Sequence, residues 1–192
     1  MRGARRFSQA ITEGDGISLV VEVAGAEAAE RAASHGAAAL SIRVPVGELA
    51  GTLPVLWRVN GSPQDAHEAG ADACVLVAAG AREDDERFES LYASGLDLGL
   101  DCVVEVGEEE ELTHVLEWLD PDVFLLSSRR RVRGDALEHV LELLQDVPAG
   151  KLAVGEVPAL DRDALAELER AGFDAVLVAA AELADIGDGS PS

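Results

Sequence analysis

Lysine is almost missing from this chain. Of its fifteen basic residues fourteen are arginine, and Lys151 is the single lysine. Arginine can hold an anion, but it does not give up a proton near neutral pH. Aromatic residues are also scarce, at 4%, so a core drawn from the 48% hydrophobic content must be built mainly of Ala, Val and Leu. No apolar run approaches the roughly 20 residues that a membrane-spanning helix needs. The start, Met1 to Arg6, is basic but runs into Phe7-Ser8-Gln9 rather than an apolar stretch, which argues against a signal peptide. Net positive charge is absent: the formal charge is -22, and its long-range field excludes nucleic acid and anionic membranes as partners.

The two cysteines, Cys74 and Cys102, fall inside apolar, strand-like runs and read as small core residues. Neither has a Cys or His at ligand spacing in sequence, so a disulfide or metal pair is the minority reading. A reducing cytoplasm is the expected setting. No P-loop, Ser/His/Asp arrangement or metal-ligand pattern occurs, so neither a cofactor nor a metal is expected. His35, His67, His114 and His139 fall on predicted helices or their ends, away from the expected site.

What the chain has in abundance is one phrase. It runs Ala69-Gly70-Ala71-Asp72-Ala73-Cys74-Val75-Leu76-Val77, with echoes at His35 to Ile42 and Ala171 to Ala180 and a degenerate copy at Asp120 to Ser127. Each begins with a helix-stopping Gly or Pro and then runs into four or five apolar residues without polar alternation. Such strands are covered on both faces, as in a parallel sheet wrapped by helices.

Strands are predicted at Ile17 to Val23, Ala38 to Val44, Pro54 to Val59, within the phrase Ala69 to Ala79, Asp101 to Val106, Val123 to Ser127, Leu152 to Val154 or as far as Glu156, and Ala175 to Ala179. Helical stretches separate them, apart from a short segment at Val46 to Ala50. Glu108 to Glu111 reads as the acidic first turn of a helix, favoured by the helix dipole. The stretches 1–15 and 185–192 read as loosely ordered ends of a single domain spanning 1–192. Eight strands alternating with helices predict a (β/α)8 TIM barrel, compact beside the usual ~250 residues and with shortened loops. An open flavodoxin-like or Rossmann sheet is the alternative, but it needs fewer strands, and no G-x-G-x-x-G follows the first.

In a barrel the chemistry sits at the carboxyl ends of the strands. The polar residues there are Glu22, Arg58, Glu105, Ser127, Ser128, Arg129 and Glu156, with Arg130, Arg131 and Arg133 completing a positive patch. Glu22 and Glu105 read either as a working carboxylate pair or as interior charges satisfied by Arg58. The arginine patch reads either as a grip for a carboxylate or phosphate or as a solvated loop.

That set resembles the indole-3-glycerol-phosphate synthase family, whose members close an indole ring with loss of carbon dioxide and water. The resemblance runs from about Ile17 to Leu183. It is carried by Val20-Val21-Glu22-Val23, Pro54 to Arg58, Gly70 to Ala73, Leu100 to Leu112 and Gly172 to Val178. It implies catalytic positions at Glu22, Arg58, Glu105 and Glu156, and ligand-binding positions at Ser127, Arg129 and Arg131.

The match keeps the family's carboxylates and loses its amines. The strand-one lysine becomes Ala24, and the strand-three lysine, the family's expected general acid, becomes Arg58. The phosphate-binding Glu-Ser-Gly-Ile becomes Glu156-Val157-Pro158-Ala159, and the strand-eight Gly-x-Ser becomes Ala179-Ala180-Ala181. The expectation is a monomeric barrel of this lineage without efficient standard activity, binding a small anion or serving as a minimal scaffold. The alternative is an active carboxy-lyase of tryptophan biosynthesis, or a barrel lyase with altered substrate.

Overall fold

The computed structural model describes residues 5–46, 53–59, 61–80, 84–130 and 134–187. Strands β1 (Ser18–Glu22), β2 (Ala39–Ile42), β3 (Val55–Trp57), β4 (Ala73–Val77), β5 (Asp101–Val106), β6 (Val123–Ser127), β7 (Leu152–Glu156) and β8 (Ala175–Ala179) close in chain order into a parallel barrel. Closure is made where β1 pairs with β8, from Ser18↔Ala175 to Glu22↔Ala179. Helices α2 (Ala26–Ser34), α3 (Pro63–Glu68), α4 (Asp85–Asp97), α5 (Glu109–Leu116), α6 (Ala136–Gln145), α7 (Arg162–Ala171) and α8 (Leu183–Gly187) follow their strands, with α1 (Arg6–Thr12) ahead of β1. The segment predicted at Val46 to Ala50 lies almost wholly outside the described residues. Among the described residues no helix is long and apolar enough to cross a membrane.

The apolar runs are explained by two separate packings. Val21, Leu40, Ile42, Trp57, Leu76, Val104, Phe124, Leu126 and Val176 face outward against the helices. Their sequence neighbours Val20, Leu56, Val75, Val103, Leu125, Val154 and Leu177 face inward and fill the barrel. Side chains alternate across a strand, so burying both faces requires apolar residues at every position.

The repeated phrase supplies the joints at the amino ends of the strands. Gly36, Gly70 and Gly172 take left-handed φ values of 81°, 76° and 105°, which end helices at no steric cost. The aspartate two residues on then bonds the preceding strand: Asp72 Oδ2 accepts from Val55 N at 2.9 Å, and Asp174 Oδ2 from Ala153 N at 2.8 Å.

Two features depart from the sequence expectation. The stretch read as a loose start contains α1, whose Phe7 and Ile11 are 0% and 1% exposed and join the interior cluster. The helix plugs the amino-end mouth of the barrel and is tied to its rim. Ser8 donates from N and Oγ to Asp101 Oδ2 at 2.9 and 3.1 Å, Arg6 pairs with Asp72 at 3.0 Å, and Arg5 with Asp122 at 3.2 Å. At the other end, residues 185–187, placed by the sequence in a loose tail, belong to α8. The cysteines are core residues, as the sequence suggests, and Cys74 and Cys102 are register partners on β4 and β5. Both thiols are free and buried under Gly95 of α4, where an added Cβ would come within 2.4 Å of Cys102 Sγ. The adjacent Cys74, together with burial, pushes the Cys102 thiol well above its ordinary range, so it behaves as a neutral core residue.

If α1 is part of the core, Phe7→Ala should cost about 3–5 kcal/mol of unfolding free energy. Gln9→Ala, on the exposed face of α1, should change it by no more than about 0.5 kcal/mol. Urea titration of the two variants checks this, and equal midpoints would detach α1 from the core.

Candidate functional site at the carboxyl-end mouth

The site follows from the same alternation that fills the barrel. Two residues beyond inward Val20, Leu56, Val103, Leu125 and Val154 lie Glu22, Arg58, Glu105, Ser127 and Glu156. Each strand therefore carries an apolar residue into the core and a polar one to the mouth. The structure brings these five predicted residues together.

Arg58 is the centre. It is 6% exposed, and it donates Nη1 to Glu156 Oε1 at 2.6 Å while Nη2 bonds Glu156 Oε2. The fork-to-fork geometry spans the mouth from β3 to β7. Arg58 Nη1 also reaches Glu22 Oε2 at 3.3 Å, and Nη2 lies 3.7 Å from Glu105 Oε2. Burial alone would lower the Arg58 pKa, but bonding to Glu156 and the charges of Glu156, Glu105 and Glu22 hold it above its ordinary value. Arg58 is a fixed cation.

Glu156 is 1% exposed and fully engaged. Besides Arg58 it accepts from Ser127 Oγ at 2.7 Å and forms an ion pair with Arg129, whose Nε lies 2.5 Å away. Its carbonyl accepts from Ser128 N and Oγ at 3.1 and 3.2 Å. The Ser127 hydroxyl, expected to face a ligand, is thus spent on Glu156. Glu105 contrasts with Glu156: among the described residues its carboxylate meets only Arg58, at 3.7 Å, and accepts no hydrogen bond. Burial raises its pKa, Arg58 opposes that, and the charge of Glu156 adds to it.

Two mouth residues have no counterpart in the sequence-derived set. Arg43, just past β2, donates Nε to Glu22 Oε2 at 2.9 Å. Ser41 is 0% exposed, and among the described residues neither its Oγ nor Arg58 Nε has a hydrogen-bond partner. The available signal was spacing: Ser41 and Arg43 continue the inward parity of Ala39 along β2.

The arginine patch divides. Arg129 turns to Glu156, whereas Arg130 forms a two-bond pair with Glu111 at 2.7 and 2.6 Å. Glu111 also accepts from Gly107 N at 2.8 Å, and an added Cβ at Gly107 would press on the Arg130 guanidinium at 2.8 Å. Arg131 and Arg133 lie outside the described residues. His139, expected away from the strand ends, reaches one: its Nε2 bonds the Gly107 carbonyl, just past β5, at 2.7 Å. It pins the loop and does not enter the mouth. The acidic run behaves as the sequence predicts, with Glu109, Glu110 and Glu111 in the first turn of α5.

At β8 the backbone donor of Ala179 is taken by Glu182 Oε2 at 2.9 Å, so the turn there is capped by the chain's own carboxylate. Lys151 sits at the opposite end of the barrel, paired with Asp120 at 2.6 Å. Among the described residues no group of His, Cys, Asp and Glu is arranged to hold a metal.

A closed (β/α)8 barrel with its ionisable residues gathered at the carboxyl mouth has the layout of the barrel enzymes. Solved structures support the fold: N-acetylmannosamine-6-phosphate 2-epimerase from Clostridium perfringens aligns with a TM-score of 0.69 at 14% identity, covering 85% of this chain and 86% of that one. A mandelate oxidase mutant aligns at 0.63 with 16% identity, covering 86% and 65%. Residues 63–185 match the family model for indole-3-glycerol phosphate synthase, and the chain belongs to that family. The indole-3-glycerol phosphate synthase of Lachnospira eligens is 35% identical over 125 residues, 60% of this chain and 46% of that protein. That of Salinibacter ruber is 32% identical over 115 residues, 59% and 42%. That of Albidiferax ferrireducens is 28% identical over 169 residues, 80% and 63%. The chain thus spans about half the length of the first two relatives.

Two outcomes follow from the mouth. Glu156→Leu strips the buried Arg58 of its two-bond partner, leaving only the longer contacts with Glu22 and Glu105, and should cost about 3 kcal/mol, whereas Arg58→Met with Glu156→Leu should recover most of that loss. A denaturant double-mutant cycle reads the difference. The second outcome concerns the loop pair. Burial alone would raise Glu111, but bonding from Arg130 and Gly107 N overcomes it and holds the carboxyl below the ordinary value of 4.5. Its stabilising contribution is therefore present above that value and disappears as pH falls through the lower folded one. Melting curves of Glu111→Gln should lie below the parent near neutrality and converge with it in acid.

Proposed function

We propose that this chain is a barrel of the indole-3-glycerol phosphate synthase lineage whose mouth binds a small anion and does not run the family's ring closure at an efficient rate. The observation that carries this reading is Arg58. It occupies the position where the family resemblance expects a proton-donating lysine, and it is locked by both oxygens of Glu156. A guanidinium so held attracts anions but cannot act as an acid. The β8 turn supports the same reading, because Glu182 already uses a backbone donor that a phosphate would need.

A second reading, a lyase with altered substrate, has one observation in its favour. Among the described residues no group donates a hydrogen bond to Glu105, and burial raises its pKa, which suits a carboxyl that exchanges protons. Assaying indole-3-glycerol phosphate formation separates the two. The first reading expects no formation above background and an increase with Arg58→Lys. Turnover of the parent at an ordinary enzyme rate, roughly 1 s⁻¹ or faster, overturns it.

A further inference from the structure

The mouth holds a ladder of charges. Arg43 bonds Glu22, Glu22 meets Arg58, Arg58 bonds Glu156, and Glu156 pairs with Arg129. Arg43 donates only from Nε, Arg129 comes nearest Glu156 with its Nε, and their side chains are 44% and 46% exposed. Among the described residues the Nη groups of neither arginine make a hydrogen bond. Ser41 Oγ and Arg58 Nε are buried donors at the same mouth and have no hydrogen-bond partner among the described residues.

Three arginines, Arg43, Arg58 and Arg129, face three carboxylates, Glu22, Glu105 and Glu156. With all six ionised these described groups sum to zero, and an arriving anion leaves them one charge in deficit inside a protein of formal charge -22. One of the three carboxylates differs from the others in its contacts. Glu22 and Glu156 accept hydrogen bonds from arginines, whereas Glu105 is 9% exposed and accepts none. Ionised, it has little to replace lost water; protonated, it costs the mouth only a 3.7 Å contact with Arg58. The charged groups acting on it are Arg58 beyond β3, Glu156 on β7, Arg130 beyond β6 and Arg43 beyond β2, with Glu22 of β1 on the Nη1 side of Arg58.

We propose that the mouth is a proton-coupled receptor for a monocarboxylate: the anion is gripped by Arg43 and Arg129, and Glu105 takes up one proton as it binds. This inference rests on the anion-binding reading above and adds the ligand's charge and the group that balances it. One proton balances one negative charge, so a monoanion is favoured over a dianion. The capped Ala179 donor points the same way, since a dianionic oxyanion would want more donors than two guanidinium faces.

The sign of the linkage is fixed. A bound anion makes ionised Glu105 costlier and raises its pKa, so binding tightens as pH falls. Between the free and bound pKa values of Glu105, one linked proton changes affinity by about tenfold per pH unit.

The test is calorimetric titration of the full chain with benzoate, and with sulfate as a dianion, between about pH 5.5 and 8, where benzoate stays ionised. Buffers of different ionisation enthalpy report the protons taken up. The expected result is benzoate binding with close to one proton absorbed, and affinity falling as pH rises by up to about tenfold per unit. Sulfate should bind more weakly. Glu105→Gln, a neutral isostere, should bind benzoate with a flat pH profile and no proton uptake. Arg129→Gln, at a half-exposed position, should keep the fold by circular dichroism and lose benzoate affinity. Benzoate binding without proton uptake, or a Glu105→Gln profile like the parent's, overturns the coupling and leaves the anion-binding reading standing. Tighter sulfate than benzoate binding overturns the monoanion assignment. Absence of binding by either anion at every pH overturns the anion-binding reading itself.

Discussion

The carboxyl end of this barrel depends on one buried pair, Arg58 with Glu156. The two residues come from β3 and β7, so their bonds tie together strands that are not neighbours in the sheet. Neither ion could be buried alone, because stripping water from an unpaired charge costs several kcal/mol. The rest of the mouth is arranged to complete that pair. Ser127 donates to Glu156 and Arg129 pairs with it, and Glu22 shares Arg58 with it while taking Arg43 from outside. Glu105 is the one carboxylate left outside this system of hydrogen bonds.

The two ends of the barrel solve the same problem with different means. At the amino end α1 inserts Phe7 and Ile11 into the interior, and rim aspartates hold the helix by its backbone and arginines. At the carboxyl end the plug is ionic. A chain short of aromatics fills a barrel of Ala, Val and Leu incompletely from its strands alone, which accounts for one of its few phenylalanines being brought in from outside the sheet.

The sequence made the barrel readable because covering a strand on both faces leaves a continuous apolar run, and eight such runs occur in order. The same alternation placed Glu22, Arg58, Glu105, Ser127 and Glu156 correctly at one end. What escaped the sequence required knowledge of neighbours distant along the chain. Helix α1 is seven residues long and shows only Phe7 and Ile11 on one face, too little periodicity to stand out. The contact between Cys74 and Cys102 depends on the register of β4 against β5, which spacing within either strand does not reveal. Arg129 and Arg130 are adjacent in sequence yet serve different carboxylates, Glu156 and Glu111, because side chains of successive residues diverge.

The exchange of lysine for arginine at the centre changes what the mouth can do. An ammonium group is a point charge that shifts its pKa under burial and can surrender a proton. The Arg58 guanidinium is held in its charged form by three carboxylates. The one lysine lies at the far end, bonded to Asp120. Any proton that moves at this mouth must therefore ride on a carboxyl group or a hydroxyl. The Ser127 hydroxyl and the Glu156 carboxylate are bound to each other, and Glu22 is shared between two arginines. Among the described residues Glu105 is the carboxylate of the mouth that accepts no hydrogen bond, and its burial on β5 works against its charged form.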